Sequence, residues 1–322
     1  MRNFSFSQAQ DLCADDGKQT VEVHHSFPEE NPDLSSARCV LLTLHDGNTD
    51  FPLPAAAEKV VQPVRGLLRN FLHVERDVGT NEVAAGISQQ VRNAVWFRVL
   101  VPRIVDLNRA PLVEDGHVIA INGHLRKEVP DEAEAEQALT ELHATTRTTL
   151  EKLVSSCRPA VALDIHSMAP FDPPSGSPTL LTSETSLRQH VDRWNTFREG
   201  NERPTQIFHS GRDADDKDGK DPVSFSQKSV EFASMLAESF SVVGQTSFTK
   251  PFGHLVHGRH LSGEFLALTR APHTSAIDMP KDLLARAPEG VPKFLLEKIE
   301  PDAVRIQRVV DAVVRTLSRV LS

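Results

Sequence analysis

Three short apolar runs in this chain each end in polar residues of the kinds that bind metals, move protons or grip carboxylates. Residues 160–168 read Ala-Val-Ala-Leu-Asp-Ile-His-Ser-Met, an apolar β-rich run that delivers Asp164, His166 and Ser167. Residues 39–44, Cys-Val-Leu-Leu-Thr-Leu, end at His45-Asp46-Gly47, and residues 99–105, Val-Leu-Val-Pro-Arg-Ile-Val, end at Asp106-Leu107-Asn108-Arg109. Runs of this length with polar residues at their carboxyl ends are read as strands of an open α/β sheet, whose ligands bind in the crevice beyond the strand ends.

Other residues could join such a site. Gly47 would let the backbone turn sharply so that His45 faces inward, although a hairpin turn with a surface histidine fits the same letters. Asp77 stands in Glu75-Arg76-Asp77-Val78-Gly79-Thr80, where a turn or cap role is also open. The Asn108-Arg109 pair can hold a carboxylate by a bidentate charge-assisted contact, which lysine makes poorly; an Asp106 salt bridge to Arg103 or Arg109 is the structural alternative. His254, His257, Arg259 and His260 fall within seven residues, either a metal tract or a Gly-rich loop that recruits anions. Residues 211–222 resemble a calcium loop only loosely: lysine falls where an oxygen ligand is required and no glutamate closes the register, so they read as a solvated loop.

These residues need a scaffold, and the chain is long enough to provide one. At 322 residues, 39% hydrophobic and 25% charged, it has the composition of an ordinary globular protein with a substantial core. A net charge of −9 argues against nonspecific nucleic-acid binding over the whole surface. No run approaches a membrane span and the first residues lack a signal-peptide core, so the expectation is a cytoplasmic protein with no membrane partner. Cys13, Cys39 and Cys157 form neither a CxxC pair nor an even set, which leaves histidine and carboxylate as the available metal ligands. A helix is expected over residues 80–91, where Val83, Ile87 and Val91 recur every four residues and Thr80 or Asn81 would cap it. A long amphipathic helix is expected over residues 131–154, feeding the 160–168 strand, and further helices over 229–240 and 302–321. Residues 1–37 read as short irregular or strand-like structure, the stretch after the 45–54 loop up to about residue 71 as irregular, and Gly263-Glu264-Phe-Leu-Ala-Leu268 as a strand with Glu264 near its start. The alternation of strands and helices without a long linker predicts one α/β domain over residues 1–322, a mixed, mostly parallel sheet flanked by helices.

In the same order along the chain, His45-Asp-Gly, Asp77-Val-Gly-Thr, Asp106-Leu-Asn-Arg109, Asp164-Ile-His-Ser167 and Gly258-Arg259 resemble the N-formylglutamate amidohydrolase family. That family is related in fold to zinc carboxypeptidases and to the succinylglutamate desuccinylase and aspartoacylase group. The resemblance covers residues 39 to 270, and its order and spacing carry more weight than any one tetrapeptide. It implies that His45 and His166 bind one zinc ion with a carboxylate, Asp77 in preference to Asp50, leaving a position open for water. Asp164 would tune the site as a carboxylate behind a ligand imidazole. Arg103 would polarise the scissile carbonyl, and Asn108, Arg109 and Arg259 would bind substrate.

The implied activity is hydrolysis of the amide of a small N-acylated acidic amino acid, a carboxylate-bearing substrate. The family also places a glutamate on a late strand in an apolar-Glu-apolar context. Direct alignment through Gly258-Arg259 puts Thr269 or Arg270 at that point, with Glu264 the substitute if the register slips. Without a carboxylate there, the alternative reading is a weak or silent relative that binds an acidic metabolite or partner through the same pocket.

Overall fold

The computed structural model describes residues 19–29, 32–47, 50–62, 65–107, 112–114, 117–119, 133–170, 188, 203–209, 226–251, 261–289 and 298–322. Asn108, Arg109, Arg259, the histidines 254, 257 and 260, and the loop 211–222 lie outside them.

The framework is a seven-stranded sheet. Its members in chain order are β1 (Val21–His25), β2 (Cys39–Thr43), β3 (Ala94–Val99), β6 (Val161–Met168), β7 (Thr205–His209), β8 (Ser247–Pro251) and β9 (His273–Pro280). The intervening β4 (Leu112–Glu114) and β5 (His117–Ile119) form a separate two-stranded ladder, as do β10 (Ala285–Arg286) and β11 (Glu300–Pro301). Across the large sheet the order is β1-β3-β2-β6-β9-β7-β8. Strands β3, β2, β6 and β9 run parallel, β1 and β7 pair antiparallel with β3 and β9, and β8 runs parallel to β7. The expected mixed, mostly parallel α/β sheet is therefore present.

Helices cover both faces: α1 (Ala55–Val61), α2 (Arg65–Glu75), α3 (Thr80–Gln90), α4 (Ala133–Ser156), α5 (Gln227–Val242), α6 (Leu261–Leu268) and α7 (Ala303–Leu321). One core unites Val40, Leu42, Ala162, Ala276 and Phe208 with residues of α1, α2, α4 and α6, and the other unites Leu41, Leu163, Ile165 and Ile277 with α3, α5 and α7. Alternate residues of each strand thus enter opposite cores, as a strand's two-residue period requires. No helix among the described residues is long and apolar enough to cross a membrane.

Several elements differ from expectation. The strand expected at 99–105 is instead Ala94–Val99; Pro102 lacks the N–H a ladder needs, so residues 100–107 are irregular. The stretch before residue 71, read as irregular, contains α1 and most of α2. The run at 263–268 is helix α6, not a strand: Phe265, Leu266 and Thr269 are buried at i, i+1 and i+4, a spacing a short apolar run conceals.

Strand order also fixes where a ligand belongs. From β2 the chain passes to β3 on one side, then crosses through α4 to β6 on the other. The carboxyl end of β2 is therefore a topological switch point, the place where open α/β sheets form a crevice. His45 lies two residues beyond it.

Candidate metal centre

His45, Asp77 and His166 meet at this switch point, each buried and each offering one ligand atom within 4.8 Å of the other two. His45 follows β2, His166 lies on β6, and Asp77 lies in the turn by which the chain passes from α2 on one face to α3 on the other. A backbone bond from Asp77 N–H to the His45 carbonyl, 3.1 Å, ties the first two segments together. Asp77 Oδ2 is 3.0 Å from His166 Nδ1 and 3.6 Å from His45 Nδ1, so both imidazoles turn the same nitrogen toward one carboxylate.

The far nitrogens are also held. His45 Nε2 lies 2.9 Å from Asp106 Oδ1, and His166 Nε2 lies 2.8 Å from Asp164 Oδ2. The latter is an ion pair rather than an aligned hydrogen bond, since neither Asp164 oxygen has a hydrogen-bonding partner among the described residues. A carboxylate thus lies behind each imidazole, the arrangement that accompanies metal-bound histidine. Two imidazoles and one carboxylate, each buried, match a catalytic zinc donor set. Asp50 takes no part: its carboxylate is exposed and paired with Arg69 at 2.8 Å.

These groups also balance one another's charge. Burial disfavours charge on His166, but Asp164 and Asp77 outweigh it and hold the imidazole well above the ordinary histidine range. Burial would raise the pKa of Asp77, yet His166 and His45 hold it well below the usual carboxylate range.

A second layer braces the ligand segments. Asp46 accepts from Arg76 Nε at 2.5 Å and from Asn81 N–H at 3.1 Å, so its carboxylate caps α3 from a distant part of the chain. The residue in the N-cap position is Gly79, with φ +91°, rather than Thr80 or Asn81. Asn81 donates to the Asp46 carbonyl at 2.8 Å and accepts from Thr43 Oγ1 at 2.9 Å, and Trp96 Nε1 donates to the same hydroxyl at 2.9 Å. Gly47 serves close approach: a Cβ there would fall 2.1 Å from the Val101 carbonyl oxygen. Lys281, buried, donates to the Val74 carbonyl just ahead of the Asp77 turn. Burial lowers its pKa to about 8.

Arg103 stands beside the cluster, with Nη1 3.6 Å from Asp77 Oδ1 and donating to the Glu75 carbonyl at 2.9 Å. Glu264, expected near the reacting atoms, instead sits on α6 with Oε2 3.2 Å from Arg147 of α4. Thr269 and Arg270 close that helix, Thr269 Oγ1 donating to Leu266 O at 2.6 Å and Arg270 adopting φ +55°. The late strand begins only at His273, and its apolar-acid-apolar triplet is Ile277-Asp278-Met279.

Asp278 is the residue that alignment missed. In the parallel pairing of β6 and β9 it stands opposite His166, on the same sheet face. It is partly buried, its Oδ1 is shielded from solvent, and that atom has no hydrogen-bond partner among the described residues. Burial pushes its pKa up to about 6, against the pull of His166, Arg103 and Arg203 and with a push from Asp77. Its signal in the sequence was the lone acid inside Ala-Ile-Asp-Met, hidden by the apolar run nearer the Gly258-Arg259 loop.

No family model and no curated protein matches the chain. Solved structures do: N-formylglutamate amidohydrolase from Ralstonia eutropha JMP134 aligns with a TM-score of 0.52 at 13% identity, covering 94% of this chain and 98% of the other. The chain shares that fold. Also similar are a gene product of Agrobacterium tumefaciens, with a TM-score of 0.49 and 17% identity over 97% of this chain and 100% of that one, and a bacteriophage poly-gamma-glutamate hydrolase. The phage enzyme aligns with a TM-score of 0.39 and 6% identity over 93% and 89% of the two chains. At 13% identity the fold alone is shared with the Ralstonia enzyme, and the chemistry must be argued from the residues.

Proposed function

We propose that this chain is a zinc-dependent amidohydrolase that cleaves the amide of a small N-acylated acidic amino acid. The observation that carries the reading is the meeting of His45, Asp77 and His166 at the switch point, with the carboxylate of Asp278 opposite His166 on the neighbouring strand.

His45, Asp77 and His166 would hold the ion, and an ion held there supplies Lewis acidity, which lowers the pKa of water at the site to about 7 and polarises a carbonyl. The chain's own residues account for the rest. Asp106 and Asp164 hold the two imidazoles in place from behind, so the ligand geometry is set before substrate arrives. Arg103, beside Asp77, is placed to attract the oxygen on which negative charge develops as the carbonyl is attacked. Asp278 takes the proton of the attacking water and returns it to the nitrogen of the departing amine, a base-then-acid role that suits a carboxyl raised to about 6. The positive charges of Arg103 and Arg203 around that carboxylate suit a substrate that is itself an acid. A silent relative would lack a late-strand carboxylate, and Asp278 supplies one.

The test is release of primary amine from a panel of N-formyl and N-acetyl amino acids by the zinc-loaded protein. Acidic members should be cleaved and neutral ones should be poor substrates. Absence of amine release from every member, with zinc bound, would refute the activity.

A further inference from the structure

Resting on that reading, we propose that Gln206 is a substrate-binding residue that holds the carboxylate next to the scissile amide. Strand β7 is antiparallel to β9, so it begins at the edge of the sheet where β6 and β9 end. Gln206 stands opposite Asp278, which stands opposite His166. Paired residues on neighbouring strands share a face, and Phe208, two residues on, enters the same core as Ala162 and Ala276. His166, Asp278 and Gln206 therefore form one row across three strands, leading away from the metal cluster.

Among the described residues the amide of Gln206 makes a single weak contact. Its Nε2 lies 3.6 Å from the Met168 Sδ, a thioether that accepts hydrogen bonds weakly, and its side-chain oxygen has no partner among the described residues. The residue is partly exposed, so a ligand can reach it. Arg203, three residues earlier, acts electrostatically on Asp278, which places positive charge at the same end of the row.

Substrate geometry gives the row its meaning. If Asp278 delivers the proton to the departing nitrogen, that nitrogen lies over β9. The oxygens of an amino acid's α-carboxylate are three bonds from its nitrogen, and the next strand is about 4.8 Å away. An α-carboxylate directed away from the metal thus arrives over β7, where Gln206 Nε2 can exchange a thioether for an anionic acceptor. The inferred ligand class is an α-amino acid, as opposed to an amine without the α-carboxylate.

The experiment measures binding of glutamate and of 4-aminobutyrate, which lacks the α-carboxylate, to zinc-loaded protein by calorimetry, with zinc content determined for every variant. Gln206→Leu should weaken glutamate about tenfold and leave 4-aminobutyrate unchanged, and Gln206→Glu, equal in size and opposed in charge, should weaken glutamate further. In turnover the loss should appear in KM, with kcat within a few-fold. Glutamate binding unchanged in both variants, or equal losses for the two ligands, would overturn the inference. A wild-type protein that holds zinc but binds neither probe would also overturn it and leave the metal site standing. A protein that holds no zinc would instead remove the reading on which the inference rests.

Discussion

Under the proposed function, Asp278 is the side chain that separates an enzyme from a binding protein. A carboxylate with a shielded oxygen and no hydrogen-bond partner among the described residues is costly to keep unless it has a task, and proton transfer is one that needs its lone pairs free. Asp278→Asn should lower kcat by about 100-fold or more with zinc retained, whereas Glu264→Gln should leave kcat near wild type. The base must be ionised, so kcat/KM should rise with pH and level off above about 6, the value burial imposes; a nearby cation shifts this rise to lower pH. Linkage gives a companion sign. A carboxyl raised from 3.8 to about 6 on folding contributes stability below the lower value and loses it as pH climbs through the higher one. The metal-free wild type should therefore lose stability relative to Asp278→Asn between those two pH values, and chemical denaturation at several pH values would measure it. A flat pH profile for turnover, or an active Asp278→Asn protein, would reassign the base.

At the scale of elements, the site depends on turns more than on strands. The segment from Arg76 to Gly79 carries the chain across the sheet edge, and Gly79 completes it with φ +91° while packing against Leu284. An added Cβ would lie 2.7 Å from Leu284 Cβ, so Gly79→Ala combines a left-handed alanine with a displaced neighbour. We expect a loss of about 1–3 kcal/mol in unfolding free energy and weaker zinc affinity, because Asp77 is two residues away. Denaturant titration and metal competition would measure the two effects, and an unchanged zinc affinity would show that the turn does not govern the ligand.

Elements also explain what was legible. His45 and His166 could be read because each follows or ends a long apolar strand, and a strand's two-residue period fixes which face its residues share. The long helix α4 and the closing helix α7 were legible from their apolar spacing. The α6 segment was not, since eight residues with few polar breaks carry no period, and treating it as a strand moved the expected carboxylate from Asp278 to Thr269 or Arg270. Gln206 carried no signal at all: β7 is five residues long, and only its antiparallel pairing with β9 reveals what Gln206 faces.

For the molecule as a whole, the governing fact is strand order. Placing β2 between β3 and β6 opens a crevice at the end of β2, and the helices on the two faces leave that edge to the turns bearing His45 and Asp77. The network of Asp46, Arg76, Asn81, Thr43 and Trp96, buried but for Arg76, then joins the edge to the sheet, so the cluster is preorganised by the fold rather than gathered by its ligand. The measurement that tests this most directly is the zinc content of the purified protein and of its His166→Ala variant, alongside their circular dichroism. A preorganised centre predicts about one zinc per wild-type chain, and a folded variant with almost none. A wild-type chain that takes up no zinc on incubation, or a variant that keeps its full complement, would contradict it.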